Sequence, residues 1–76
     1  MTKAEKIRLA EQAREMVQNP VWEHLTESMV EEIKLEWAEC RDPIVREALW
    51  TQQNAIQDLV GAVKALIANG DIAKTR

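Results

Sequence analysis

Two Asx-Pro pairs, Asn19-Pro20 and Asp42-Pro43, divide this chain of 76 residues. Asn or Asp at a helix N-cap accepts hydrogen bonds from the unpaired amides of the first turn. Proline at the next position loses nothing there, because its missing N–H would have had no partner. The residue before a proline is also pushed out of the helical region, so each pair ends whatever precedes it. The two breaks predict three helices, over about 3–18, 20–41 and 43–69. Thr2-x-x-Glu5 has the form of a capping box at the first start. Gly70 after Asn69 reads as a left-handed cap on the last helix, leaving a frayed tail over 71–76.

With only two glycines and two prolines, the chain has too little turn material for a β sandwich or barrel. The expectation is a single all-α domain over 1–76: a helical hairpin of two long antiparallel helices plus a shorter N-terminal helix. A core of this size is at the lower edge of self-sufficiency without disulfides, metal or a partner. No apolar run approaches a membrane span, and Thr2-Lys3-Ala4-Glu5-Lys6 lacks the apolar centre of a signal peptide. A lone cysteine, Cys40, has no internal partner, which fits a reduced thiol in the cytoplasm.

The net charge of −3 is unevenly placed. Residues 19–42 hold two basic and seven acidic groups, while the flanking segments each hold four basic and three acidic. Binding to phosphates needs clustered Lys and Arg, so direct nucleic-acid binding is not expected. Glu23, Glu27 and Glu31 form an i, i+4 ladder on the second helix. Like charges at that spacing cost a few tenths of a kcal/mol per pair. The ladder is either a solvated face or an acidic surface kept for a basic partner.

Each helix has an apolar pattern of period 3.6. The first is weak: Ile7, Ala10, Ala13 and Val17, with Leu9 and Met16 beside them. On the second, Trp22, Leu25, Met29, Ile33, Trp37 and Cys40 recur at spacings of three or four and predict one core face. The third is strongest. Leu49, Ile56 and Val63 repeat every seven residues, Val45, Gln52, Leu59 and Leu66 repeat in register with them, and Ala48, Ala55 and Ala62 make an alanine row. Val60 and Ile67 widen this face. Such heptads suit helix-on-helix packing, and alanine lets a second helix come close.

Catalytic chemistry has little to work with. His24 and Cys40 are the sole members of their types and share one predicted helix. Their sixteen-residue separation spans about 24 Å at the usual helical rise. Helix-bundle metal centres use Glu-x-x-His, but Val21 stands where that glutamate would be. No phosphate-binding glycine loop occurs. The reading is no enzyme, no catalytic residue, no metal and no cofactor.

Protein contacts are the better expectation. Trp50 sits beside the heptad face, followed by the charge-poor run Thr51-Gln52-Gln53-Asn54, a composition favoured at interface centres. It is either an exposed anchor or a core residue under the first helix. Gln52 at a heptad position either sets register or keeps its amide in water. The expected interface is Ala48, Leu49, Trp50, Gln52, Ile56 and Val63. The apolar face is wider than one partner helix needs, which points to a homo-oligomer, a dimer or higher.

Asn19-Pro20-Val21-Trp22, Trp37, Arg46-Glu47-Ala48-Leu49-Trp50 and Leu66-Ile67-x-x-Gly70 together resemble short all-helical accessory proteins of tailed bacteriophages and prophages, from the virion-assembly gene region. The likeness spans about residues 9–74. It implies an assembly or adaptor role in virion morphogenesis, with other phage or host proteins as partners, in the bacterial cytoplasm or in the virion. The alternatives are a phage regulator that binds and inhibits a host protein, or a dimeric RNA-binding helical hairpin. Met1-Thr2-Lys3-x-Glu5-Lys6 is also similar to the start of small RNA-binding helical hairpins that control plasmid copy number. Those have one break rather than two, and a basic face.

Overall fold

A computed structural model describes residues 1–75 as three α-helices with no strand among them: α1 (Lys3–Gln18), α2 (Pro20–Glu39) and α3 (Pro43–Thr75). Both Asx-Pro pairs start helices as expected. The Val21 N–H donates to Asn19 Oδ1 at 2.8 Å, and the Ile44 N–H donates to Asp42 Oδ1 at 3.0 Å. Asn19, at φ −72° and ψ 126°, closes α1 and opens α2 in one residue. The Glu5 N–H donates to the Thr2 hydroxyl at 3.1 Å, capping α1. The second helix ends at Glu39, and Cys40 takes up an extended conformation, two residues earlier than the proline alone required.

The end of α3 corrects the sequence reading. No glycine has positive φ, and Gly70 lies inside a helix that continues to Thr75. Gly70 is a contact rather than a cap. It is buried against α1, and a Cβ there would collide with the Ala10 methyl and meet the Lys6 carbonyl oxygen at 3.1 Å. Arg14 pairs with Asp71 at 2.6 Å and Lys74 with Glu11 at 3.2 Å on the same stretch. Docking on α1 supplies a partner for the last turns, so tertiary packing overrides the local stop signal.

Three buried residues, Ala10, Ala13 and Gly70, make this junction a close one, since small side chains let helix backbones approach. Ile7, Leu9 and Val17 are half-buried around it. The remaining buried apolar residues are Ile33 of α2 and Leu49 and Val63 of α3. Along α3 the inner row is Leu49, Gln53, Ile56, Val60, Val63, Ile67 and Gly70, every member buried or half-buried. The row expected to join Leu49, Ile56 and Val63 is Val45, Gln52, Leu59 and Leu66, but all four of these are exposed. The packed partner row is Gln53, Val60 and Ile67.

The expected face of α2 is corrected in the same way. Ile33 is buried and Trp22 and Cys40 are half-buried, but Leu25, Met29 and Trp37 are exposed. Thr26 and Val30 take their place toward α3, beside Val60 and Gly61. The Thr26 hydroxyl donates to the Trp22 carbonyl at 2.9 Å, so its polar group is satisfied within its own helix.

The molecule is long and thin, measuring 51 × 23 × 15 Å. The long axis is the length of α3, whose 33 residues rise about 50 Å. The radius of gyration is 16.2 Å. A globular chain of this length would have about 11 Å. The exposed surface is 5940 Å². A compact chain of this mass exposes about 4700 Å².

Candidate interaction surface

The six residues expected to form one interface divide among three sides of α3. Leu49 and Val63 are each 6% exposed and Ile56 is half-buried, so these three belong to the intramolecular row. They are withdrawn from the free surface because α1 and α2 already cover them. Ala48 and Gln52 are exposed. Each precedes a member of the inner row, which turns it about 100° away around the helix.

Trp50 is 55% exposed, so it is no core residue, and it follows Leu49. It is therefore turned the opposite way, in the same heptad row as Gln57 and Lys64. One patch cannot include both Trp50 and Ala48.

Gln52 is exposed, and Gln53 holds the inner position with its neighbour Asn54 also half-buried. The heptad row of exposed residues extends well beyond the two that remain from the expected patch. Val45, Ala48, Gln52, Ala55, Leu59, Ala62, Leu66 and Asn69 follow one another at spacings of three and four, and every one is exposed. None is charged. Leu25, Met29 and Leu35 on α2 and Ile44 and Ile72 on α3 add to the exposed apolar surface.

Glu23, Glu27 and Glu31 are exposed, as a ladder on a solvated face would be. Their surroundings are mixed in sign. Glu27 and Glu31 border an open groove of about 610 Å³ between α2 and α3, where Lys34 and Lys64 also stand. The two lysines offset part of the acidic field that a basic partner would meet.

A contact absent from the sequence reading joins the last turn of α2 to the first turn of α3. The Arg46 guanidinium lies 3.7 Å from the centroid of the Trp37 ring. This cation–π pair covers part of an indole that is still 42% exposed. Nine residues separate the two in sequence. The only available signal was an Arg soon after a helix break and a Trp shortly before it.

His24 is exposed on α2, and Cys40 is half-buried with its Sγ 3.7 Å from the Asp42 carbonyl oxygen. Among the described residues no three His, Cys, Asp or Glu side chains stand close enough to hold a metal ion. No described helix is long and apolar enough to cross a membrane. No family model, curated protein or solved structure matches this chain.

Proposed function

We propose that this chain is a non-enzymatic helical assembly or adaptor protein that works by self-association and helix-face contacts. The observation that carries this reading is the large total surface of an elongated frame, on which many large apolar residues are exposed. About 1200 Å² more is exposed than a compact chain of this mass would show, and stable interfaces bury about 800 Å² per partner. The sequence likeness to phage virion-assembly accessories supports placing it in phage morphogenesis, in the host cytoplasm or the particle. Within one chain, we read α2 and α3 as an antiparallel hairpin. Trp37 meets Arg46 beside the turn, and Thr26 and Lys64 flank the groove farther along, which supports that direction.

Light scattering after gel filtration at micromolar concentration tests the assembly reading. A mass of two or more chains is the expected result, and a thermally stable monomer would overturn it. The competing reading, a regulator docking a basic host protein on Glu23, Glu27 and Glu31, makes a different prediction. Changing all three to Gln would weaken binding to that partner and its salt dependence. Under the assembly reading the same triple variant keeps its oligomeric mass and gains slightly in stability, because the i, i+4 repulsion is gone.

A further inference from the structure

We propose that the exposed heptad row of α3 is a second helix-packing seam, occupied by the α3 of a second copy of this chain running antiparallel across a two-fold axis. This rests on the self-association reading above and specifies its surface, direction and register.

Two rows on α3 contrast completely. The inner row is packed at every member, from Leu49 to Gly70. The row one residue earlier is exposed at every member, from Ala48 to Asn69. It keeps the 3-4 spacing of a coiled-coil seam for three heptads, with Val45 one position further out. One heptad position holds Val45, Gln52, Leu59 and Leu66, and the other holds Ala48, Ala55, Ala62 and Asn69.

A second copy fits because large and small residues alternate regularly along this seam. Two copies pair antiparallel with the axis level with Gln57. Leu59 then packs on the partner's Ala55, Leu66 on the partner's Ala48, and Gln52 on the partner's Ala62. Each layer from Ala48 to Leu66 joins one long side chain to one methyl, so the helices keep a close separation of about 8 Å there, and the end layers place Val45 on the partner's Asn69. A parallel pair would stack alanine on alanine and leucine on leucine, alternating voids with overfilled layers. It would also place two Gln52 side chains together in the seam.

Antiparallel pairing sets the two helix dipoles head to tail as well. The row itself carries no charge, though Lys3 and Lys6 of α1 border its Leu66–Asn69 end. The chain's total surface, polar and apolar together, exceeds that of a compact chain by about 1200 Å², against about 800 Å² buried by each partner of a stable dimer. The flanking position on the side away from the inner row is held by Ile44, Thr51, Asp58, Ala65 and Ile72; only Asp58 is ionic, and its two copies face each other beside the axis, a like-charge contact that opposes the pair.

Spin-label distances in full-length chains test the register. The background is Cys40→Ala, with single nitroxides at Asp58→Cys or Ile44→Cys; both native residues are exposed in the single chain. In the proposed pair the two 58 labels are offset by only about 3 Å along the axis, and the two 44 labels by about 39 Å. A short distance at 58 with a long one at 44 is the expected result. Short distances at both sites mean a parallel dimer, and long distances at both mean a dimer through another face. Either overturns the proposal while leaving self-association intact.

A chain of monomeric mass with no measurable label pair overturns both. Ala55→Glu gives an independent check, since glutamate suits an exposed helix but would be buried beside the axis. It is expected to halve the mass with helical circular dichroism retained; an unchanged mass contradicts the seam.

Discussion

The inner and outer rows of α3 match at three of their seven positions, yet α1 and α2 bury only the inner one, α1 merely bordering the outer row at Leu66 and Asn69. Gln52-Gln53, Leu59-Val60 and Leu66-Ile67 each place one residue in the outer row and a chemical equivalent in the inner row. The difference lies at the remaining positions. The inner row has Leu49, Ile56 and Val63, bulky enough to fill the space beneath the neighbouring helices. The outer row has Ala48, Ala55 and Ala62, which leave a shallow track. Burial goes first to the row that removes the most apolar area. A track with that alternation is left for a helix that can come close.

The largest expected effects separate the two rows directly. Leu49→Ala, in the inner row, should cost about 2–5 kcal/mol of folding stability, as large-to-small changes in a core do. Leu59, by contrast, is 55% exposed. Leu59→Ala should change the stability of the single chain by less than about 0.5 kcal/mol while weakening assembly. Chemical denaturation and light scattering on both variants read the two quantities. Equal loss of stability from both would erase the distinction between the rows.

Gly70→Ala tests how the inner row ends. The added methyl collides with Ala10. Overpacking of this kind costs about 1–3 kcal/mol, more than the helix propensity alanine brings. Pairing it with Ala10→Gly should recover part of the loss, measurable as a double-mutant cycle in urea. If Gly70 were instead a solvent-exposed cap, the second change would recover nothing.

Asp42→Ala removes the acceptor for the Ile44 N–H. It should cost about 1 kcal/mol, loosening the start of α3 and with it the outer row at Val45. The smallest effect has the opposite sign. A Cβ on Gly61 meets nothing within 4 Å. Gly61→Ala should therefore stabilise the chain by about 0.5–1 kcal/mol. Gly61 is outside both rows, so its substitution should leave assembly unchanged. The two glycines of one helix respond in opposite directions, which a thermal melt of each variant shows.

The helix starts were legible because capping is local: Asn19 and Asp42 act on amides two residues away. The all-helical class followed from the same breaks and the scarcity of turn residues. The register of α3 was not legible. Adjacent residues of equal hydrophobicity make rows one residue apart indistinguishable by periodicity, and only the position of α2 and α1 decides between them.

Periodicity assigns Trp37, Leu25 and Met29 to the core for a related reason. A stripe of spacing three and four on a helix can be broader than the neighbour that covers it, and here Thr26 and Val30 flank Ile33 on the covered side. Gly70 misleads because Asn-Gly is a strong local stop, while the contact with Ala10 is sixty residues distant in sequence. Of the expected interface, Ala48 and Gln52 stand on the exposed row, Trp50 stands exposed elsewhere, and Leu49, Ile56 and Val63 serve the single chain.

The most direct test of self-association through α3 is the thermal midpoint measured over a wide range of protein concentration, for the native chain and for Leu59→Glu. A chain whose folded form is a dimer melts at a higher temperature as concentration rises. The account predicts such a rise for the native chain, and for Leu59→Glu a lower midpoint that does not move with concentration. A native midpoint that stays constant across the range would contradict it.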